Sequence, residues 1–322
     1  LSVLGDTWVD YDLDRDGYID HISILFAGMG QEIDPSNTML IWSHNGYTTY
    51  DVIYRNTNIS LIAEIDNRDG VQGIETYCHE FGHALGLPDF YDTEYSGGDA
   101  SRPDQHELMS ANTASGHPVP MSAFSRWILG WTGFKTLSAA SPGDYELQDM
   151  LQEPTAWRYY TQSPGEFFLI ENRSLLNTWQ DREDLGHGML VFRVDSARYM
   201  QGIRDNTVNN EASRLAFQLL RADNDNSYDS PQGDYFPNGG LYTEFSDQST
   251  PSSLSYAGTA TDLPLTGITE NENVIRFHFA GQGQSVLAAT LEAEETTDWG
   301  HYRVEGAIVS TQGAECREAG IC

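Results

Sequence analysis

The stretch His79-Glu80-Phe81-Gly82-His83, continued by Ala84-Leu85-Gly86-Leu87-Pro88-Asp89, constrains this chain more than any other. Apolar residues at Ile74, Tyr77, Cys78, Phe81, Ala84 and Leu85 recur at the spacing of one helical face. A helix is therefore predicted from Ile74, with its stop at Gly86 and Pro88 just beyond to forbid continuation. On that helix His79 and His83 stand about 40° apart and about 6 Å along the axis, so both imidazoles reach one metal ion. The two histidines lie off the apolar face, which predicts a helix that buries one side and presents the other to a cleft.

Gly86 permits a sharp turn through positive φ, and Pro88 then swings Asp89 back towards the histidines. The pattern HExxHxxGxxD thus reads as a three-ligand zinc site of His79, His83 and Asp89, with Glu94, Asp92, His106 and His44 as alternatives for the third position. Zinc held this way keeps a position for water and lowers its pKa to about 7; Glu80 is placed to take the proton as that water attacks a carbonyl. His106, His117 and Tyr91 are candidate donors to the developing oxyanion, unranked. Acidic residues nearby are the expected acceptors for the second ring nitrogens of the two imidazoles.

A second acidic motif lies upstream. Asp12, Asp14, Asp16 and Asp20 alternate around Gly17, and Tyr18 offers its backbone carbonyl, the spacing by which a short loop wraps oxygen ligands about calcium. An EF-hand is excluded, because its twelfth position is Ser23 rather than Glu and a strand follows instead of a helix. Four carboxylates this close repel strongly unless neutralised, so a structural calcium is predicted. Asp223-Asn224-Asp225-Asn226 reads as an ordinary polar loop in preference to a second calcium site.

The remaining pattern is β-rich. Ile22 to Ala27 reads as a buried strand, and Met39 to Trp42 and Ile59 to Ile65 as two more. Met121 to Leu129 reads as a second helix, after which Phe167 to Ile170, Met189 to Val194 and Val274 to Phe279 are short strands between Gly, Pro, Asn and Asp clusters. The expected class is α+β: a catalytic unit over 1–135, a β-rich part over 136–282, and a tail or the start of a further module over 283–322. A formal charge of −31 argues against nucleic acid or an anionic membrane as partner, and no apolar run reaches the length of a membrane span. Cys78 reads as a packed free thiol, and Cys316 and Cys322 are spaced to close a short loop.

These residues resemble the immune inhibitor A family of secreted bacterial zinc metallopeptidases. His79 to Asp92 (HEFGHALGLPDFYD) is similar to that family's zinc segment, and Glu107-Leu108-Met109-Ser110 to its Met-turn, with Met109 the residue beneath the metal. Asp12 to Gly28, Ile41 to His44, Phe168 to Arg173, Gly188 to Asp195 and Asp234 to Pro237 agree in the same order. The resemblance implies a metzincin-like zincin, a mixed sheet over an active-site helix, protein substrates, export from a bacterium and a propeptide removed. It also implies opening strands ahead of the calcium-type loop, which are expected to be missing from 1–135, and Ala111 stands where many metzincins carry Tyr. The expected activity is a zinc-dependent endopeptidase. The competing expectations are a calcium-stabilised binding or adhesion module on a truncated zincin, for which Glu80 has no chemical use, and an aminopeptidase or amidase, which dependence on substrate length separates.

Overall fold

A computed structural model describes residues 10–47, 57–65, 70–94, 102–110, 118–174, 185–227 and 230–279. His117, Ala111, the two C-terminal cysteines and the whole 283–322 tail lie outside the described residues. By packing, the chain divides into two compact units, Leu1–Leu87 with Thr113–Pro118, and Pro88–Asn112 with Val119–Cys322. Both helix and sheet are present, and the described residues are sheet-rich with few helices.

The first unit holds a mixed three-stranded sheet. Strand β1 (His21–Met29) runs parallel to β3 (Asn58–Ile65), and β2 (His44–Tyr47) pairs antiparallel on the other side of β3. Helix α1 (Ile74–Ala84) follows. Two expectations are corrected here. Met39 to Trp42 is not a strand: Asn37 takes up its backbone, accepting the Leu40 N–H at its carbonyl and the Met39 N–H at its side chain. Glu32 then clamps Ser43, whose hydroxyl accepts the Ala63 N–H, so ladder pairing with β3 begins only at His44.

The burial expected of β1 and of the apolar face of α1 is also reversed. Leu25 is 68% exposed, and Ile74, Tyr77, Phe81 and Leu85 are all exposed on α1, whereas Glu80 and Gly82 are its buried positions. Among the described residues β1 pairs with β3 and with no other strand. It meets α1 through the polar residues His21, edge-on to Phe81 at 5.3 Å, and Ser23, which donates a 3.3 Å hydrogen bond to Tyr77. Cys78 is a half-buried free thiol whose pKa is raised by burial and by the neighbouring Glu75.

The second unit is built on a five-stranded sheet in the order β4 (Gly133–Thr136), β6 (Thr155–Tyr160), β7 (Glu166–Arg173), β8 (Gly188–Asp195), β9 (Phe217–Leu219). β7 and β8 are buried along their whole lengths, which is why they read as near-continuous apolar runs rather than alternating ones. One face carries a core that includes Tyr159, Phe168, Ile170, Met189, Val191, Phe236, Phe245 and Phe279. That core also takes in residues of a smaller antiparallel sheet of β5 (Gly143–Leu147), β10 (Leu265–Asn271) and β11 (Val274–Phe279).

On the opposite face lies an aromatic cluster that ties local segments to the sheet. Phe217 of β9 packs 4.7 Å from Phe192 of β8, 4.9 Å from Phe90 and 4.9 Å from Phe124 of helix α2 (Ala123–Ile128). Each of these rings is essentially fully buried. Aromatic pairs at such distances add about 0.5–1.5 kcal/mol each beyond simple burial. Phe217→Ala is predicted to lower the unfolding free energy by about 3–5 kcal/mol, read from the urea midpoint. A loss under about 1 kcal/mol would show that the cluster does not anchor α2 and Phe90.

Candidate metal centre

Helix α1 ends in a turn that its sequence dictates. The Gly86 N–H donates to the His83 carbonyl (2.9 Å) and the Leu87 N–H to the Gly82 carbonyl (3.0 Å), with Gly86 at φ +101°. This is the Schellman pattern, in which an L-residue at the left-handed position would be strained. The turn does more than stop the helix. It presents the Leu87 carbonyl to His83 Nδ1 at 2.8 Å, which makes Nδ1 the protonated nitrogen and Nε2 the one with a lone pair to offer. For His83 the acceptor is therefore a backbone carbonyl of its own turn, not one of the acidic side chains expected.

His79 and His83 stand edge to face with ring centroids 4.8 Å apart, both half-buried, and Glu80 between them is buried. Along this unbroken stretch of chain, one ligand atom from each of His79, His83 and Asp89 lies within 4.8 Å of the others. Two imidazoles and a carboxylate at that spacing fit the donor chemistry of a three-ligand zinc site. Of the other residues considered for the third position, Asp92 accepts the Glu94 N–H, and His44 on β2 is exposed with Nδ1 against the Trp42 carbonyl.

His106 has a different use. It is fully buried, with Nε2 2.7 Å from Asp234 and Nδ1 3.1 Å from the Tyr235 hydroxyl. Burial, with Arg173 and Arg221 adding to it, pushes its pKa well below the ordinary histidine range. Burial likewise raises Asp234, to about 7, against the opposing charge of Arg221. Arg221 extends this network to Asp104 at 2.6 Å. The cluster pins the 102–110 loop from within the β-rich unit, a structural role that the sequence reading, which weighed His106 as ligand or oxyanion donor, did not anticipate.

That loop carries Met109, which is fully buried. Its carbonyl accepts the Phe90 N–H at 2.8 Å, and the Ser110 hydroxyl donates to the Phe90 carbonyl at 3.3 Å, so the turn is bonded to the residue following Asp89. The buried Glu107 organises it: one carboxylate oxygen accepts the Met109 N–H (3.1 Å), the other the Ser122 N–H (2.8 Å) at the N-terminus of α2. Glu171 of β7 accepts the next N–H, that of Ala123, and is balanced by Arg173. Negative charge is favourable at a helix N-terminus. Burial raises the Glu107 pKa, and its hydrogen bonds from Ser122 and Met109 oppose that.

In the upstream motif, carboxylate oxygens of Asp12, Asp14 and Asp20 lie within 4.8 Å of one another. Gly17 at φ +91° and Arg15 at φ 60° curl the chain around them. Asp12 accepts the N–H groups of Asp16 and Gly17, and Asp20 that of Leu13. Asp16 is not in the group; its carboxylate accepts the Tyr18 N–H at 2.9 Å.

Comparison with known proteins finds one family: residues 6–134 match the family described as Immune inhibitor A peptidase M6, catalytic domain. Over that stretch the chain is similar to the immune inhibitor A peptidases. Immune inhibitor A of Bacillus thuringiensis subsp. alesti is 38% identical over 95 residues, 26% of this chain. Pre-pro-metalloprotease PrtV of Vibrio cholerae serotype O1 (strain M66-2) is 30% identical over 128 residues, 35% of this chain. Each alignment covers 14% of the relative's own length. No solved structure matches the chain.

Glu107→Ala strands the buried N–H groups of Met109 and Ser122, at about 1–3 kcal/mol each. The predicted loss of about 2–5 kcal/mol is measured by chemical denaturation. A loss under about 1 kcal/mol would show that the turn is held by other contacts.

Proposed function

We propose that this chain is the catalytic part of a zinc-dependent endopeptidase exported from a bacterium, with His79, His83 and Asp89 as zinc ligands and Glu80 as general base. The observation that carries this reading is the grouping of the three ligand atoms within 4.8 Å, with Glu80 between the two imidazoles, inside a stretch matched by a peptidase family. The His83 ring is oriented for Nε2 ligation by the Leu87 carbonyl. When bound, zinc supplies Lewis-acid activation of water and of the scissile carbonyl. Glu80 removes the proton from the attacking water and returns it to the leaving amine. Met109 supports the segment that carries Asp89, through the bond from Phe90. Protein chains are the substrate class, and no helix among the described residues is long and apolar enough to cross a membrane.

Glu80→Gln keeps the shape of the side chain and removes the base. With zinc loaded, cleavage of an unfolded protein is predicted to fall about 10²–10⁴-fold while zinc content is unchanged. Equal cleavage by parent and variant would exclude Glu80 as the base. Equal inactivity of two folded, zinc-loaded proteins would favour the binding-module reading instead.

The Asp12, Asp14, Asp20 group is assigned a structural calcium, with Asp16 and the Tyr18 carbonyl as the remaining sequence candidates. At about 100 times its Kd, calcium stabilises a protein by about 2.7 kcal/mol through binding to the folded state alone. The thermal midpoint is therefore predicted to rise with calcium in the parent and to stay constant in an Asp12→Asn, Asp14→Asn double variant. A parent whose midpoint ignores calcium would remove this site from the account.

A further inference from the structure

The third ligand is gripped by residues far along the chain. The Asp89 N–H donates to Asn206 Oδ1 at 2.7 Å, and Asn206 Nδ2 donates to Asp89 Oδ2 at 2.6 Å. One side-chain amide thus holds the backbone and the carboxylate of the same residue. Only an amide places an acceptor and a donor side by side in one plane, so neither Ser nor Asp makes both bonds. The bond to the carboxylate is short and charge-assisted, and it fixes the direction in which Asp89 points.

Asn206 is itself built for this place. It caps a 3₁₀ turn (Ile203–Asp205) after helix α3 (Ser196–Gly202) in the left-handed conformation, φ 56° and ψ 43°, which Asn tolerates better than most residues. Two further asparagines secure the same segment. Asn209 donates to the Phe90 carbonyl at 2.9 Å and clasps the backbone of Phe217 on β9. Asn210 accepts the Thr93 N–H at 3.1 Å. The loop therefore transmits the rigidity of the five-stranded sheet to the 89–93 segment.

We propose that Asn206 is a positioning residue for the Asp89 metal ligand, so that a residue beyond the family-matched 6–134 sets the direction of that carboxylate. This rests on the zinc reading above. Carboxylate ligands of metals are commonly held by such outer hydrogen bonds, whose loss costs about 10–100-fold in metal affinity. The test measures zinc affinity of the full chain by competition with a chromophoric chelator, together with the visible absorption of the cobalt(II)-substituted protein. Asn206→Gly removes both bonds while suiting the left-handed backbone. Asn206→Asp retains the acceptor for the Asp89 N–H and replaces the donor.

Both variants are expected to bind zinc about 10–100-fold more weakly and to shift the cobalt spectrum, with circular dichroism unchanged. Asn210→Ala, which touches Thr93 but not Asp89, is expected to stay within about threefold of the parent. Unchanged affinity in both Asn206 variants would overturn the positioning role alone. So would a loss in Asn210→Ala as large as theirs, since that would mean general loosening. A parent that binds no zinc would overturn the zinc reading and this proposal together.

Discussion

The turn closing helix α1 is the constraint on which the candidate centre depends. The bond from the Leu87 N–H to the Gly82 carbonyl exists only because Gly86 adopts φ +101°, where a side chain would be strained. That one bond ends the helix directly after the second histidine and reverses the chain, so that Pro88 and Asp89 follow at once. It also brings the Leu87 carbonyl to His83 Nδ1, which sets the tautomer and the aim of that ring. Placement of Asp89 and orientation of His83 come from one backbone feature.

Around Asp89 the second unit supplies three supports of different chemistry. Glu107 links the Met109 turn to the α2 N-terminus. The Phe90 ring enters the aromatic cluster on the sheet. The asparagine loop 206–210 bonds the backbone from Asp89 to Thr93. Hydrogen bonds set direction and the aromatic cluster sets position, a division that suits a site whose ligands tolerate little displacement.

Local signals carried well in this chain. The helix over 74–84 and its stop were readable because the 3.6-residue period, Gly86 and Pro88 agree within a few residues, and the strands at 166–173, 188–195 and 274–279 announced themselves as apolar runs between turn residues. Where apolar content lacked a packing partner, the same logic misled. Met39, Ile41 and Trp42 are exposed around an Asn37 turn, and the apolar stripe of α1 is exposed at Ile74, Tyr77, Phe81 and Leu85 instead of entering a core. The supports of the candidate centre were illegible for another reason. Asn206 meets Asp89 across 117 residues and Glu171 meets Ala123 across 48, and neither pairing leaves a periodic or motif trace in the sequence. His106 shows the complementary error, since a histidine near a zinc motif looks like a ligand until its partners, Asp234 and Tyr235, are seen to bury it.

The most direct test of the central claim is anomalous diffraction at the zinc edge from crystals of the zinc-loaded protein. The account predicts one strong peak bonded to Nε2 of His79, Nε2 of His83 and a carboxylate oxygen of Asp89, with Asn206 still bonded to that carboxylate. A peak bound to His44 or His106 in place of these residues, or no ordered zinc at α1, would contradict it.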